Sequence, residues 1–349
     1  MPSASLVLRS LINKPEMLDP DVEFTTLDDN DPPTLFIYGE SLAMRILKNN
    51  AFATYNLIDH WKTITRQTSL PTLEKLFSKT PFFLHGDVHR QTRRSLGQPY
   101  RLVESQFQDW LPTFSANFFK QMTTLKPMKP NEVASHFVSE VSGQILAHAF
   151  QVNPASIPQM SVPTQSLFRF FPSPKKILDF EDKLTQVANF LLDLSIQQNR
   201  DPEEIWAYLS IIVMGQEPLY GSLTYALSHP LKHGPLNAQI LLQETAPVTL
   251  LGRQAMQDII LCDIEFKKGQ ALHIAPFIIN NKLLSEQCPI KASQAMEFGA
   301  GVHLCSGRKI TLEITNAFIT ALHKHPETLP QQTNIKFVRD FILVPKEIH

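Results

Sequence analysis

The residues best suited to chemistry lie in one stretch, Phe298-Gly299-Ala300-Gly301-Val302-His303-Leu304-Cys305-Ser306-Gly307-Arg308. Gly299 and Gly301 tolerate positive φ, so a tight loop there can turn backbone N–H groups toward the cysteine sulfur. Such donors stabilise a thiolate. Apolar residues at helical spacing from Ile310 onward put Cys305 just ahead of a helix, whose N-terminal partial positive charge lowers a thiol pKa. Gly307 would let a flat group approach the backbone closely. The pattern predicts a thiolate metal ligand at Cys305, although a cysteine taken alone is more often a buried, inert thiol.

Two further groups could do chemistry. His89 and Arg93 stand four residues apart, so one helical face would carry an imidazole and a guanidinium able to bind carboxylates; by itself such a pair is usually a solvated charged face. Glu217, in Met214-Gly215-Gln216-Glu217-Pro218-Leu219, is the only charge for several turns, which argues against a solvated role. Pro218 in mid-helix removes a hydrogen bond and costs roughly 3 kcal/mol unless the helix is already distorted.

The stretch Phe-Gly-x-Gly-x-His-x-Cys-x-Gly resembles the haem-binding loop of the cytochrome P450 family, with six fixed positions at the family's spacing. The resemblance implies haem b with Cys305 as its axial iron ligand and Phe298, Gly299 and Gly307 in the loop around it. His89, Arg93, Arg253 and His303 are then the groups holding the haem propionates. It also makes Gly215, Glu217 and Pro218 the oxygen-side turn of the central helix, with Glu217 as proton relay and Pro218 where the family has threonine. The family's Glu-x-x-Arg pair is absent: Ile240 and Gln243 stand at those positions, and no arginine occurs from Asn280 to Glu297. All three partners of that ion network are lost together, as expected when one buried ion without its partner would cost several kcal/mol. Apolar or amide contacts should replace them. The resemblance runs from about His85 to the C-terminus of a chain shorter than is usual for the family, with the missing length assigned to the substrate-covering region and the segment before the haem loop.

The elements that must position these residues are legible in part. Asp201 is a suitable N-cap, with Pro202 at the first helical position and Glu203 and Glu204 in the first turn. They open a helix to His229 whose middle is apolar on every face and so central to the fold. Further helices are expected over Glu40–Lys48, in two pieces from Thr92 to Met122, and over Phe180–Asn199, residues 236–244 and Ile310–His325. Strands are expected at Thr34–Tyr38, Asp258–Ile264 and Gln270–Ile274, the last two flanking a turn at Lys267–Gly269. Phe168, Phe170 and Phe171 are expected in the core. The reading is one mainly α domain with a small β portion, residues 1–349, the haem lying between the central helix and the cysteine-loop helix. Residues 1–80 form a peripheral mixed α/β lobe and residues 85–349 the haem-binding helical core.

The 349 residues include 32 basic and 33 acidic side chains, for a net charge of -1, which argues against a nucleic-acid binder. Three cysteines, Cys262, Cys288 and Cys305, are too few for a disulfide framework. With no signal peptide and no run near the roughly 18 apolar residues of a membrane span, a cytoplasmic protein is expected. The resemblance implies a monooxygenase that inserts one oxygen atom from dioxygen into a small or medium organic substrate. Its electrons would come from a ferredoxin or similar acidic protein docking on Arg90, Arg94, Arg308 and Lys309. The loss of the threonine leaves two alternatives: an O2-independent haem-thiolate enzyme, such as a peroxide-using oxidase, isomerase or dehydratase, or a non-catalytic partner or substrate-presenting protein.

Overall fold

The computed structural model describes residues 4–55, 57–122, 128–158, 168–169, 172–229, 237–285, 295–325 and 335–347. Its helices, in chain order, are α1 (Ala4–Asn13), α2 (Glu40–Lys48), α3 (Leu57–Thr65), α4 (Pro71–Ser78), α5 (Gly86–Ser95), α6 (Gly97–Met122), α7 (Pro130–Phe150), α8 (Pro174–Gln197), α9 (Ile205–Ser228), α10 (Ala238–Thr245), α11 (Pro276–Ser285) and α12 (Arg308–Lys324). The strands are β1 (Phe24–Thr26), β2 (Leu35–Ile37), β3 (Phe52–Ala53), β4 (Leu251–Ala255), β5 (Ile259–Leu261), β6 (Ile264–Phe266), β7 (Ala271–Ile274), β8 (Ile335–Arg339) and β9 (Leu343–Glu347).

The central helix is α9. Asp201 accepts a hydrogen bond from the Glu203 N–H at 2.9 Å and closes a single 3-10 turn over Pro202–Glu204 before α9 begins, so the expected cap opens a tighter first turn than an α-helix. Every residue from Ile205 to Val213 is buried. That follows from a helix apolar all round, wrapped by α4, α6, α7, α8, α10 and α12. The break expected near Gly97–Pro99 falls at Leu96, between α5 and α6. α8 starts six residues earlier than expected, at Pro174, whose fixed φ suits the first helical position.

A five-stranded sheet runs in the order β1-β2-β7-β4-β3. β2 and β7 pair in parallel with Leu35 opposite Leu272, and the other pairings are antiparallel. The lobe expected over residues 1–80 thus supplies three strands to a sheet completed by β4 and β7 of the helical core. The single strand expected over Asp258–Ile264 is a hairpin instead, β5 and β6 joined through Cys262 and Asp263. Both residues take positive φ, 53° and 60°. Such two-residue turns usually carry asparagine or glycine, and without those residues the turn had no signature. Phe168 is half-buried, its ring 6.2 Å from that of Trp61, while Phe170, Phe171 and Cys288 lie outside the described residues. Among the described residues no helix is long and apolar enough to cross a membrane.

Candidate functional site

The residues ahead of α12 fold back on themselves. The Cys305 N–H donates to the Phe298 carbonyl at 3.0 Å, and the Leu304 N–H to the Gly301 carbonyl at 3.1 Å. Gly299 and Gly301 have φ of 70° and 67°, and a Cβ on Gly301 would run into the Leu47 carbonyl at the end of α2, so glycine is required there. Arg93, from α5, clamps the loop: its Nη1 donates to the carbonyls of Val302 at 3.0 Å and Leu304 at 2.7 Å. The Arg308 guanidinium covers the Phe298 ring at 5.5 Å.

Cys305 is exposed and lines a cavity of about 520 Å³. Burial raises its thiol pKa, while the Gly307 N–H and the charges of Arg93 and Arg308 act the other way. The expected depression of that pKa is therefore corrected. The amide donor and the cations are in place, but desolvation of a sulfur anion outweighs them.

Across the cavity stands one face of α9, including Ser210, Ile211, Gly215, Gln216 and Pro218. Glu217 is not on this wall. It is fully buried and is not among the residues lining the cavity. It shares its side with Gly221, which packs against the Leu343 carbonyl of β9. The polar groups on the wall are Ser210 and Gln216; Gln216 Nε2 donates to Ser142 Oγ of α7 at 3.0 Å, and Ser142 in turn donates to the Val138 carbonyl at 2.7 Å. Pro218 has no N–H to give the Met214 carbonyl, yet α9 continues to Ser228.

The remaining wall is cationic. Arg253 lies on β4, where alternate residues Leu251, Arg253 and Ala255 are buried, so a guanidinium occupies a position patterned for an apolar side chain. It is 2% exposed and donates to the Gly252 carbonyl at 2.7 Å. Among the described residues it forms no ion pair, and burial lowers its pKa to about 10, leaving it charged at neutral pH. The His89 and His303 rings are 4.3 Å apart. His89 Nε2 and both His303 ring nitrogens are buried without a hydrogen-bond partner among the described residues. Burial first, and neighbouring cations second, lower the pKa of His89 and bring that of His303 to about 3, so both imidazoles are neutral. Glu297 is the one acid on the cavity wall among the described residues.

Of the residues singled out from the sequence, Gly215, Pro218, His89, Arg93, Arg253, Phe298, Gly299, His303, Cys305 and Gly307 share this cavity; Glu217 does not. Sequence reading missed Tyr100, whose hydroxyl bonds Ser210 and whose pKa is raised by burial and then by Cys305. It also missed Gln216, Ser142 and Glu297. Gln216 was adjacent to a residue already singled out, and its signal was helical phase. The basic docking face is reduced: Arg90 pairs with Asp87, and Lys309 lies 3.3 Å from Glu104 and 3.8 Å from Glu313. Arg94 and Arg308 remain exposed.

No protein-family model matches the chain, and no curated protein matches it in sequence. Its architecture does match solved structures. P450BioI, in complex with an acyl carrier protein ligated to hexadec-9Z-enoic acid, is 15% identical with a TM-score of 0.73, covering 97% of this chain and 98% of the other. Epothilone B-bound cytochrome P450epoK is 14% identical with a TM-score of 0.69, covering 99% and 97%. The cytochrome P450 PksS of the Bacillus subtilis 168 bacillaene polyketide synthase is also 14% identical with a TM-score of 0.69, covering 98% and 96%.

Proposed function

We propose that this chain, whose fold is that of the cytochromes P450, is a haem-thiolate oxidoreductase acting as a monooxygenase on an apolar organic substrate. The observation that carries the reading is a mismatch of charge. Arg253 is buried with no counter-ion among the described residues, and the buried nitrogens of His89 and His303 have no hydrogen-bond partners there. A buried cation and three orphaned nitrogens cost several kcal/mol unless a ligand satisfies them. A planar dianion with two carboxylate arms and a metal facing Cys305 fits that donor set, and haem b is such a group. His89, Arg253 and His303 would hold its propionates, with Arg93 fastening the loop and reaching the same rim, and Cys305 Sγ would ligate its iron.

A cysteine-ligated haem supplies oxygen activation, the sulfur's electron donation favouring O–O cleavage. Burial disfavours Cys305 Sγ as an anion, and the Gly307 N–H and the charges of Arg93 and Arg308 offset part of that cost. Phe168, Trp61, Ile145 and Ile211 line the same cavity, which suits an apolar substrate and excludes water from it. Gln216 Nε2 and Ser142 Oγ form the polar pair able to orient a water at the α9 wall. Electrons would arrive from an acidic carrier docking near Arg94 and Arg308. A second reading, oxidation driven by peroxide without dioxygen, is favoured by two observations: proline stands where a hydroxyl would serve as relay, and Glu217 is not among the residues lining the cavity.

The reading is tested by titrating the purified protein with hemin, reducing it, and adding carbon monoxide. Uptake with a strongly red-shifted Soret band is expected, and a protein that stays colourless overturns the proposal. Turnover with electrons and dioxygen, compared with turnover on peroxide alone, separates the two readings. Gln216→Leu should slow oxygen-dependent product formation about 10²-fold if it orients the proton-carrying water. Glu217→Gln should leave that rate near wild type and lower the melting midpoint. The reverse ranking of the two variants would return the relay to Glu217.

A further inference from the structure

Glu297 opens the segment that leads into Cys305, and it is 7% exposed. Gln239 of α10 donates from Nε2 to its Oε1. Gln243, one turn further along α10, also acts on the same carboxyl. Residues four apart lie on one helical face, so Gln243 stands on the same side of α10 as Gln239, whose amide donates to the carboxyl; Glu297 Oε2 has no hydrogen-bond partner among the described residues. Desolvation raises the Glu297 pKa, and the Gln239 and Gln243 amides and the Arg308 charge oppose it. The backbone beside this contact is fastened as well. Asn280 of α11, fully buried, accepts from the Met296 N–H at 2.6 Å and donates to the Gln243 carbonyl at 3.4 Å.

These contacts close a ring around the cysteine. The Phe298 carbonyl, one residue from Glu297, accepts the Cys305 N–H. α12 follows the loop, and its Asn316 Oδ1 accepts from the Ala238 N–H at the start of α10, 3.1 Å away. Position is thus transmitted from α10 through Glu297 to Phe298 and Cys305, and back through α12 to α10. Of the two helix positions where an ion pair was expected and found missing, Ile240 is 42% exposed and faces away. The work falls on Gln239 and Gln243.

We infer that Glu297, held by Gln239, with Asn280 tying the adjoining backbone to the Gln243 carbonyl, is a positioning residue that fixes the Cys305 sulfur in its cavity. The acid sits on the loop side and neutral amides on the helix, so the clamp needs no buried cation. Only the hemin arm of the test below rests on the proposed function.

The test uses the full chain with Cys262→Ser and Cys288→Ser, leaving Cys305 as the sole thiol. Labelling of Cys305 by a small maleimide is timed in protein without hemin, and hemin affinity is measured by titration. Glu297→Leu and Gln239→Met should each speed labelling several-fold and weaken hemin binding about 10–100-fold, the range for groups that orient a metal ligand. They should also broaden the Soret band of the carbon monoxide complex. Glu297→Gln, which keeps an acceptor for Gln239, should restore all three readouts. Gln239 is half-buried, so Gln239→Met keeps the test decisive if Glu297→Leu does not fold. Unchanged labelling and affinity in Gln239→Met would overturn the inference, as would a Glu297→Gln protein no better than Glu297→Leu. Wild-type protein that takes up no hemin defeats the proposed function alone, because the labelling comparison still decides the clamp.

Discussion

Replacing Cys305 with alanine should abolish the red-shifted band of the reduced, carbon monoxide-treated protein while leaving weakened hemin uptake in place. The two effects separate because the sulfur and the cationic rim belong to different elements. Sγ comes from the loop before α12, whereas His89 lies on α5 and Arg253 on β4. The rim would still attract the carboxylate arms, so affinity should fall about 10²–10³-fold, or about 3–4 kcal/mol, and not vanish. Cys262 provides the control. It sits in the exposed turn between β5 and β6, and Cys262→Ala should change neither band nor affinity. A red-shifted band surviving in Cys305→Ala would mean that another thiolate ligates the iron.

The parts of this site that could be read from the chain were local. The cysteine loop carries its chemistry in consecutive residues, where positive φ demands glycine and a helix start follows at once. His89 and Arg93 were legible because four residues make a helical turn, but what Arg93 grips was not. It donates to the carbonyls of Val302 and Leu304, more than two hundred residues away in sequence. Rarity of charge in an apolar helix marked Glu217 as buried, which it is, but gave no direction for its side chain. Apolar or amide contacts were expected in place of the missing ion network. Gln239 and Gln243 on α10 could be paired with Glu297 only after folding brought residues more than fifty apart together. The hairpin at Cys262–Asp263 was hidden because non-glycine residues took positive φ.

Arg253→Met should act in opposite directions on the two forms of the protein. Without hemin, the guanidinium is a charge held in low dielectric, 2% exposed, with the Gly252 carbonyl as its hydrogen-bond acceptor. Its pKa of about 10 records that penalty. Removing an uncompensated buried ion in favour of an apolar side chain of similar length is expected to stabilise by about 1–4 kcal/mol, and the melting midpoint of the hemin-free protein should rise by a few degrees. With hemin, the same substitution removes the donor fork aimed at a carboxylate. Affinity should then fall about 10²–10³-fold, the equivalent of breaking a buried charge pair. Arg253→Lys should land between the two, since an ammonium keeps the charge without the planar fork. Paired melting curves with and without hemin measure both limbs, and the gap that hemin opens between them should shrink in Arg253→Met. If the hemin-free variant is destabilised instead, Arg253 is a structural cation already satisfied by the protein. The charge mismatch on which the proposed cofactor rests would then be gone.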